Sequence, residues 1–366
     1  MILHFVDDHI AASSFLMGFE QIFPQKNIIL KLCKDGKTEL STSGLSIMYP
    51  CVKDAFKSID YSQIKVIDVQ LLRPYKIKAI VKYIPSNIPI VWWTYGGDLY
   101  NYFLLKRGYE LYSQETLRYV EIHKEKSFML WCKNMLYDKI YLGYLDRKVL
   151  NRVVGIIPCV LPDYEQACKW LKKEFDLVDI TPWQDILDYP LTQGKNVMVG
   201  HSASMTNNHL YALERIKAID LGDSKISLPL SYNIQSEVYF NEVMRCYKEW
   251  FENKVEFMLE MMDIDDYKRN FLDYKVAIFP CWRQEALGNI FTCLQLGLRV
   301  VLSQKNPCYN YLLKLGFVVS ALEQMTDYNP LSEEEQQQNR LLFIKLKNER
   351  DKIVPKNLKQ YFSKYI

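Results

Sequence analysis

Short apolar runs alternate with amphipathic stretches from one end of this 366-residue chain to the other. A strand buried on both faces reads as a continuous apolar run, and such runs separated by helical segments are the mark of βαβ units in a parallel sheet. Ile2–Val6, Asn27–Leu32, Ile64–Val69, Ile88–Thr94 and Arg152–Ile157 fit this description, with a first helix expected over 11–23. A second series begins after the polar stretch Asp188–Lys195, with strands expected over Asn196–Gly200, Lys225–Leu230, Val255–Leu259, Lys275–Pro280 and Arg299–Ser303. Helices are expected over 207–219, 237–251 and 289–296. The residues 332–366 read as a charged helical tail. The length suits two domains, which places an N-terminal α/β domain at 1–187, a C-terminal one at 188–331 and the tail at 332–366. No internal repeat is evident.

Composition narrows the function class. A hydrophobic fraction of 49% with 24% charged residues is that of a cored globular protein. The formal net charge of +3 is too small to indicate nucleic acid, and none is expected as a partner. The nine Cys form no C-x-x-C pair and sit mostly in apolar runs, which reads as reduced thiols. None of the five His has ligand spacing with Cys, so no metal site is expected. The chain enters a strand pattern at once, without the charged and apolar regions of a signal peptide, and no run approaches a bilayer span. Any membrane contact should be peripheral.

In doubly wound sheets ligands bind beyond the carboxyl ends of the strands, so the loops after strands hold the candidate chemistry. After the first strand come Asp7, Asp8 and His9, with His4 just before them. A carboxylate beside His can deprotonate a hydroxyl, although Asp8 also suits a helix cap. Asp98, in Tyr95-Gly96-Gly97-Asp98-Leu99-Tyr100, is open to the same two readings, base or cap. Gly200-His201-Ser202-Ala203-Ser204, followed by Asn207, suits a phosphate at a helix N-terminus, through free amides and the helix dipole. It is neither a dinucleotide fingerprint nor a Walker loop, so no cofactor is expected. The stretch from Pro280 to Asn289 is the most informative. Arg283 could fork onto a phosphate, Gly288 and Asn289 could offer amides to a diphosphate, and Glu285 could accept ribose hydroxyls. Tyr232, Lys305 and Asn306 end two further strands and are candidate donor contacts. Between Asn101 and Arg152, lysines and arginines interleave with aromatics, including Lys124, Phe128, Trp131 and Lys139. That pattern suits an anionic bilayer surface, or a solvated face over a core.

Taken in order, these motifs resemble the bacterial N-acetylfucosaminyltransferases of enterobacterial common antigen synthesis, glycosyltransferase family 56. Tyr95–Tyr100 is similar to that family's W-G-x-D-L-Y segment. Gly200–His209 resembles its G-N-S-x-x-x-S-N-x-H, with Ser202, Asn207 and His209 kept. Pro229 and Tyr232 match a P-x-x-Y. Arg283, Gln284 and Gly288 match an R-Q-x-x-x-G, followed by Gln295, Gly297 and Asn306-Pro307. Tyr95, His201 and Glu285 depart from the family's Trp, Asn and Gln; these positions could face the donor, so the transferred sugar could differ from the family's. The resemblance implies the GT-B arrangement, two Rossmann-like domains facing across a cleft. It implies transfer of a deoxy-amino sugar from a thymidine-diphosphate donor to a polyprenyl-diphosphate-linked saccharide, for a surface polysaccharide. The basic aromatic stretch would then hold the enzyme peripherally on the cytoplasmic face of the inner membrane. Gly200, Ser202, Asn207, Tyr232, Arg283, Gln284, Glu285, Gly288, Asn289 and Asn306 are then expected at the donor, and Asp7, Asp8 or Asp98 at the acceptor. A nucleotide-sugar epimerase of the same architecture and a non-catalytic assembly protein at the membrane surface are the alternatives.

Overall fold

The computed structural model describes all residues except 9, 34–35, 43–44 and 123–140, and leaves the side chains of 10–15 and 121–122 undescribed as well. The chain divides into two compact units. The first comprises residues 1–109, the described part of 126–182, and 350–366; the second comprises the described part of 110–125 and 183–349. The expected boundaries therefore shift in three places. Residues 110–122 belong with the second unit, the crossing expected after 187 comes after Pro182, and the expected tail is divided between the two.

The first unit holds a sheet of eight strands: β1 (Ile2–Asp7), β2 (Asn27–Leu32), β3 (Thr38–Thr42), β4 (Leu45–Tyr49), β5 (Val66–Gln70), β6 (Ile90–Trp93), β7 (Val153–Ile157) and β8 (Asp176–Leu177). Their order is β4-β3-β2-β1-β5-β6-β7-β8. β2, β1, β5, β6, β7 and β8 run parallel, while β3 and β4 add an antiparallel edge that the apolar pattern does not announce. Ile2, Phe19, Val66, Val91, Trp93 and Ile157 form a core together with Leu358 and Phe362, from the end of the long helix Glu333–Phe362. His4 lies within β1, fully buried between Asp68 (2.9 Å) and Asn27 (3.1 Å). It belongs to the sheet interior and not to the loop beyond it.

The second unit is an all-parallel sheet of β9 (Asn196–Val199), β10 (Ile226–Pro229), β11 (Val255–Met258), β12 (Tyr274–Phe279), β13 (Arg299–Leu302) and β14 (Val319–Ala321), in the order β11-β10-β9-β12-β13-β14. Its strands are apolar without alternation because both faces are covered. Val197, Val199, Val276 and Ile278 pack toward Tyr211, Tyr239 and Tyr247, while Met198, Ala277 and Phe279 pack toward Phe291 and Phe343. In each sheet the strand order reverses at one place, β1/β5 in the first and β9/β12 in the second. There the carboxyl ends of the strands leave room for a ligand.

Among the described residues no helix is long and apolar enough to cross a membrane, and no group of three His, Cys, Asp or Glu is placed to hold a metal. The basic aromatic residues Lys124, Lys126, Phe128, Trp131, Lys133, Tyr137 and Lys139 lie outside the described residues, as does His9. Phe103 from the same stretch is buried, and Tyr102 donates to Asp146 at 2.9 Å.

Candidate active site

At the β9/β12 switch, a cluster of polar side chains is buried in the second unit. Arg283, on the loop after β12, places Nη2 2.7 Å from Glu285 Oε1. The other Glu285 oxygen accepts the Thr206 hydroxyl at 2.7 Å, and His201 Nε2 lies 3.6 Å from Oε1. Arg283, Glu285 and His201 are each less than 10% exposed. The guanidinium also donates to the Gln284 carbonyl at 3.0 Å, yet its Nε has no partner, and neither has His201 Nδ1. Burial holds the His201 imidazole below its ordinary pKa, with Glu285 pulling the other way. The cluster is thus a near-neutral ion pair with donor capacity that the fold leaves unused.

Immediately after it, the helix Leu287–Leu296 starts on Ala286, whose backbone is left-handed (φ 60°) and whose side chain makes no cap. The first amides of that helix, at Leu287, Gly288 and Asn289, have no intrahelical acceptor, and the helix dipole is positive there. Asn289 also donates to the Tyr267 hydroxyl at 3.0 Å. Both residues line a cavity of about 340 Å³ with His201, Pro229, Tyr232, Met258, Met261 and Met262. Tyr232 is 44% exposed, so its ring is available to a ligand. An apolar, aromatic-walled hollow with a few polar atoms, next to a helix N-terminus and a guanidinium, suits a flat base joined to a diphosphate.

The Gly200–Ser204 loop does something else. The His201 amide is taken by Asn207 Oδ1 (3.1 Å), the Ala203 amide by the Tyr232 carbonyl (3.0 Å), and the Ser204 amide by Ser202 Oγ (3.4 Å). Asn207 Nδ2 donates to Ser202 Oγ at 3.0 Å. Ser202 and Asn207 are fully buried. The amides of His201, Ala203 and Ser204 are therefore taken within the fold and are not the expected free cradle, and Gly200, Ser202 and Asn207 brace the site through these bonds. Asn306 is corrected in the same way: its Oδ1 caps the helix Pro307–Leu315 through the Cys308 amide at 2.9 Å, and the side chain is buried. Gln284 is buried, and its carbonyl accepts a second hydrogen bond from Arg283 beside the Glu285 pair. Lys305 lies over the Trp282 ring, 3.6 Å from its centroid, and pairs with Glu110 at 2.8 Å.

In the first unit Asp98 is an anchor and not a base. Its carboxylate is fully buried and accepts four N–H groups, from Leu72 (2.6 Å), Trp92 (2.7 Å), Tyr95 (2.7 Å) and Leu99 (2.8 Å). No lone pair is left for a substrate proton. Burial pushes its pKa up while those donors oppose the shift. Asp8 is exposed. Asp7 ends β1 at the β1/β5 switch and is partly open, its Oδ1 accepting the Tyr75 hydroxyl at 2.6 Å. Its Oδ2 faces Lys76 Nζ at 3.3 Å. Sequence reasoning missed Lys76, Thr206 and Tyr267. For Lys76 a signal existed, since it shares a face with Ile80 one turn along the helix Pro74–Tyr83.

Residues 184–349 match the family of 4-alpha-L-fucosyltransferases, glycosyl transferase group 56. The protein is a glycosyltransferase. The matched segment coincides with the second unit's main stretch, 183–349, which carries the cavity and the Arg283 cluster. Solved structures share the fold over the whole chain. An alpha,alpha-trehalose-phosphate synthase (UDP-forming) from Burkholderia vietnamiensis superposes with a TM-score of 0.59 at 10% identity, covering 99% of each chain. Sucrose-phosphate synthase from Thermosynechococcus elongatus gives 0.57 at 8% identity, covering 100% of this chain and 94% of the other. Anabaena HepE, in complex with UDP and glucose, gives 0.53 at 10%, covering 100% and 95%. The transferase has the GT-B fold, and its two units, each built on a mainly parallel sheet, are the two domains of that fold.

Proposed function

We propose that this transferase moves a deoxy-amino sugar of the N-acetylfucosamine kind from a thymidine-diphosphate donor to a polyprenyl-diphosphate-linked saccharide. The product feeds a surface polysaccharide, and the enzyme works peripherally at the cytoplasmic face of the inner membrane. The carrying observation is the cavity walled by Tyr232, Tyr267 and three methionines beside the uncapped helix Leu287–Leu296 and Arg283. In this reading the base enters the cavity. The diphosphate lies on the amides of Leu287, Gly288 and Asn289 and on the guanidinium, and Glu285 and His201 face the sugar. The acceptor oxygen attacks the anomeric carbon, and the bond to the diphosphate breaks. Its electron pair leaves with the nucleoside diphosphate, and the hydroxyl proton passes to Asp7. Hydrogen bonds from the helix amides and Arg283 stabilise the departing charge.

A thermal-shift panel of nucleoside diphosphates tests the donor site. A ligand that binds only the native state at 100 times its Kd stabilises by about 2.7 kcal/mol. Thymidine diphosphate should raise Tm most. Tyr232→Ala and Arg283→Ala should each weaken that response, the latter by roughly ten- to a hundredfold in Kd, as expected for a charge-assisted contact. A flat response to every nucleotide would overturn the reading.

A further inference from the structure

Lys76 is fully buried, although lysine is among the residues least often found inside. Its Nζ lies over the Phe5 ring, 5.0 Å from the centroid. The ammonium has three protons, and three acceptors surround it: the Phe5 carbonyl (3.3 Å), the Gln70 carbonyl (2.5 Å) and Asp7 Oδ2 (3.3 Å). Two of these are main-chain groups near the carboxyl ends of β1 and β5, the strands that flank the switch point. A methionine would fill the same volume without the cost of burying a charge, and such replacements are often neutral or stabilising. The charge therefore has a use other than stability. Beside it, Gln70 is fully buried with both amide atoms unpartnered, polar capacity that the fold does not consume.

We propose that Lys76 is a positioning residue for sugar transfer, its buried ammonium fixing the Asp7 carboxylate at the end of β1 in the orientation that receives the acceptor hydroxyl's proton. This rests on the reading of Asp7 as the base. Tyr75, the neighbouring residue on the same helix, holds the other oxygen, so the carboxylate is gripped from both sides while its open face remains accessible. The step it serves is balanced. The hydroxyl O–H bond breaks as the new glycosidic C–O bond forms, the proton moves to Asp7, and the electron pair of the old C–O bond leaves with the nucleoside diphosphate. Lys76 neither gains nor loses a proton in it.

Burial lowers the Lys76 pKa to about 8. The charged groups that bear on it are Asp7 on β1, Asp68 on β5 (itself paired with His4), and Asp98 in the turn after β6; all three favour the ammonium. Arg73 and Tyr75 flank it on its own helix. Above pH 8 the ammonium is lost and Asp7 loses its partner, so turnover should fall.

The test is steady-state transfer by the full chain, with thymidine-diphosphate-linked 4-acetamido-4,6-dideoxygalactose as donor and a polyprenyl-diphosphate-linked saccharide as acceptor, from pH 6 to 10. Lys76→Met should lower kcat on the order of tenfold to a hundredfold, with KM for the donor unchanged. Lys76→Arg should restore part of kcat and remove the fall above pH 8, because a guanidinium does not titrate there. Asp7→Asn should cost more than Lys76→Met, and the double variant no more than Asp7→Asn alone. Tyr75→Phe, at an exposed position that cannot unfold the core, should give a smaller kcat loss of the same kind. An alkaline fall shared by wild type and Lys76→Arg would overturn the role of Lys76, as would additive losses in the double variant, even with Asp7 essential. Wild-type kcat in Asp7→Asn would instead remove Asp7 as the base.

Discussion

His209 is neutral in the folded protein for a physical reason. It is fully buried with neither ring nitrogen partnered, and burial, with a smaller push from His201, lowers its pKa to about 3 from 6.5. Between those values the unfolded chain binds a proton that the native state refuses. The stability tied to His209 is therefore fully present above pH 6.5 and is lost as pH falls through the window down to about 3. A single proton sets the slope at about 1.4 kcal/mol per pH unit at most. Urea denaturation at pH 7 and pH 5 should show a smaller decline for His209→Gln than for wild type, by up to about 2 kcal/mol. Parallel declines would mean that the ring is charged in the fold or sees water. Single residues of this kind were the least readable from sequence. Asp98 after a glycine pair is compatible with a base and with a cap, and only its four N–H partners decide for the anchor. Arg283 and Glu285 were readable as polar residues on a loop after a strand. That they pair with each other depends on the shape of the turn, which residue type does not encode.

At the level of elements, two glycines that look alike in sequence have opposite duties. Gly200 follows β9 with φ 75°, and a Cβ there would come within 2.6 Å of His209 Nε2. Gly288 opens the helix Leu287–Leu296 in ordinary backbone, and a Cβ there meets nothing closer than Gln184 Oε1 at 3.7 Å. Gly200→Ala should cost roughly 1–3 kcal/mol of stability, from the left-handed backbone and the clash. Gly288→Ala should leave Tm near wild type and instead weaken binding of thymidine diphosphate, because the new methyl stands beside the amides proposed for the diphosphate. Chemical denaturation and calorimetric titration of the two variants separate the outcomes. Unchanged affinity in Gly288→Ala would count against that diphosphate position. The parallel strands were legible because burial on both faces leaves an uninterrupted apolar run, as in Val197-Met198-Val199. The β3–β4 edge was not. Thr38–Thr42 carries a single large apolar residue, and β4 exposes Leu45, Ile47 and Met48, so neither strand shows the expected alternation.

For the whole molecule, the helix Glu333–Phe362 decides where the first unit ends. Its last residues belong to that unit although the chain has by then traversed the second. Leu358 and Phe362 are buried among Ile2, Phe19 and Val66, with Phe362 edge-on to Phe19 at 4.9 Å between centroids. Gly155 in β7 leaves room for Tyr361, whose hydroxyl would lie 2.2 Å from a Cβ at that position. The composition of 332–366 reads as a charged helical tail and does not say which core the tail joins. What matters is that the few apolar side chains near its end complete a core. Truncation after Glu349 removes a buried Leu and a buried Phe, each worth about 2–5 kcal/mol. That loss rivals the 5–15 kcal/mol by which a domain is usually stable. Hydrogen exchange of the truncated chain should therefore show lost protection in β1, β5 and β6, with β9, β12 and β13 still protected, because the second unit keeps its own core. Phe362→Ala should give a milder form of the same pattern. Protection lost equally in both sheets would show one cooperative body in place of two, and protection kept in β1 would show that the first unit does not need the helix that returns to it.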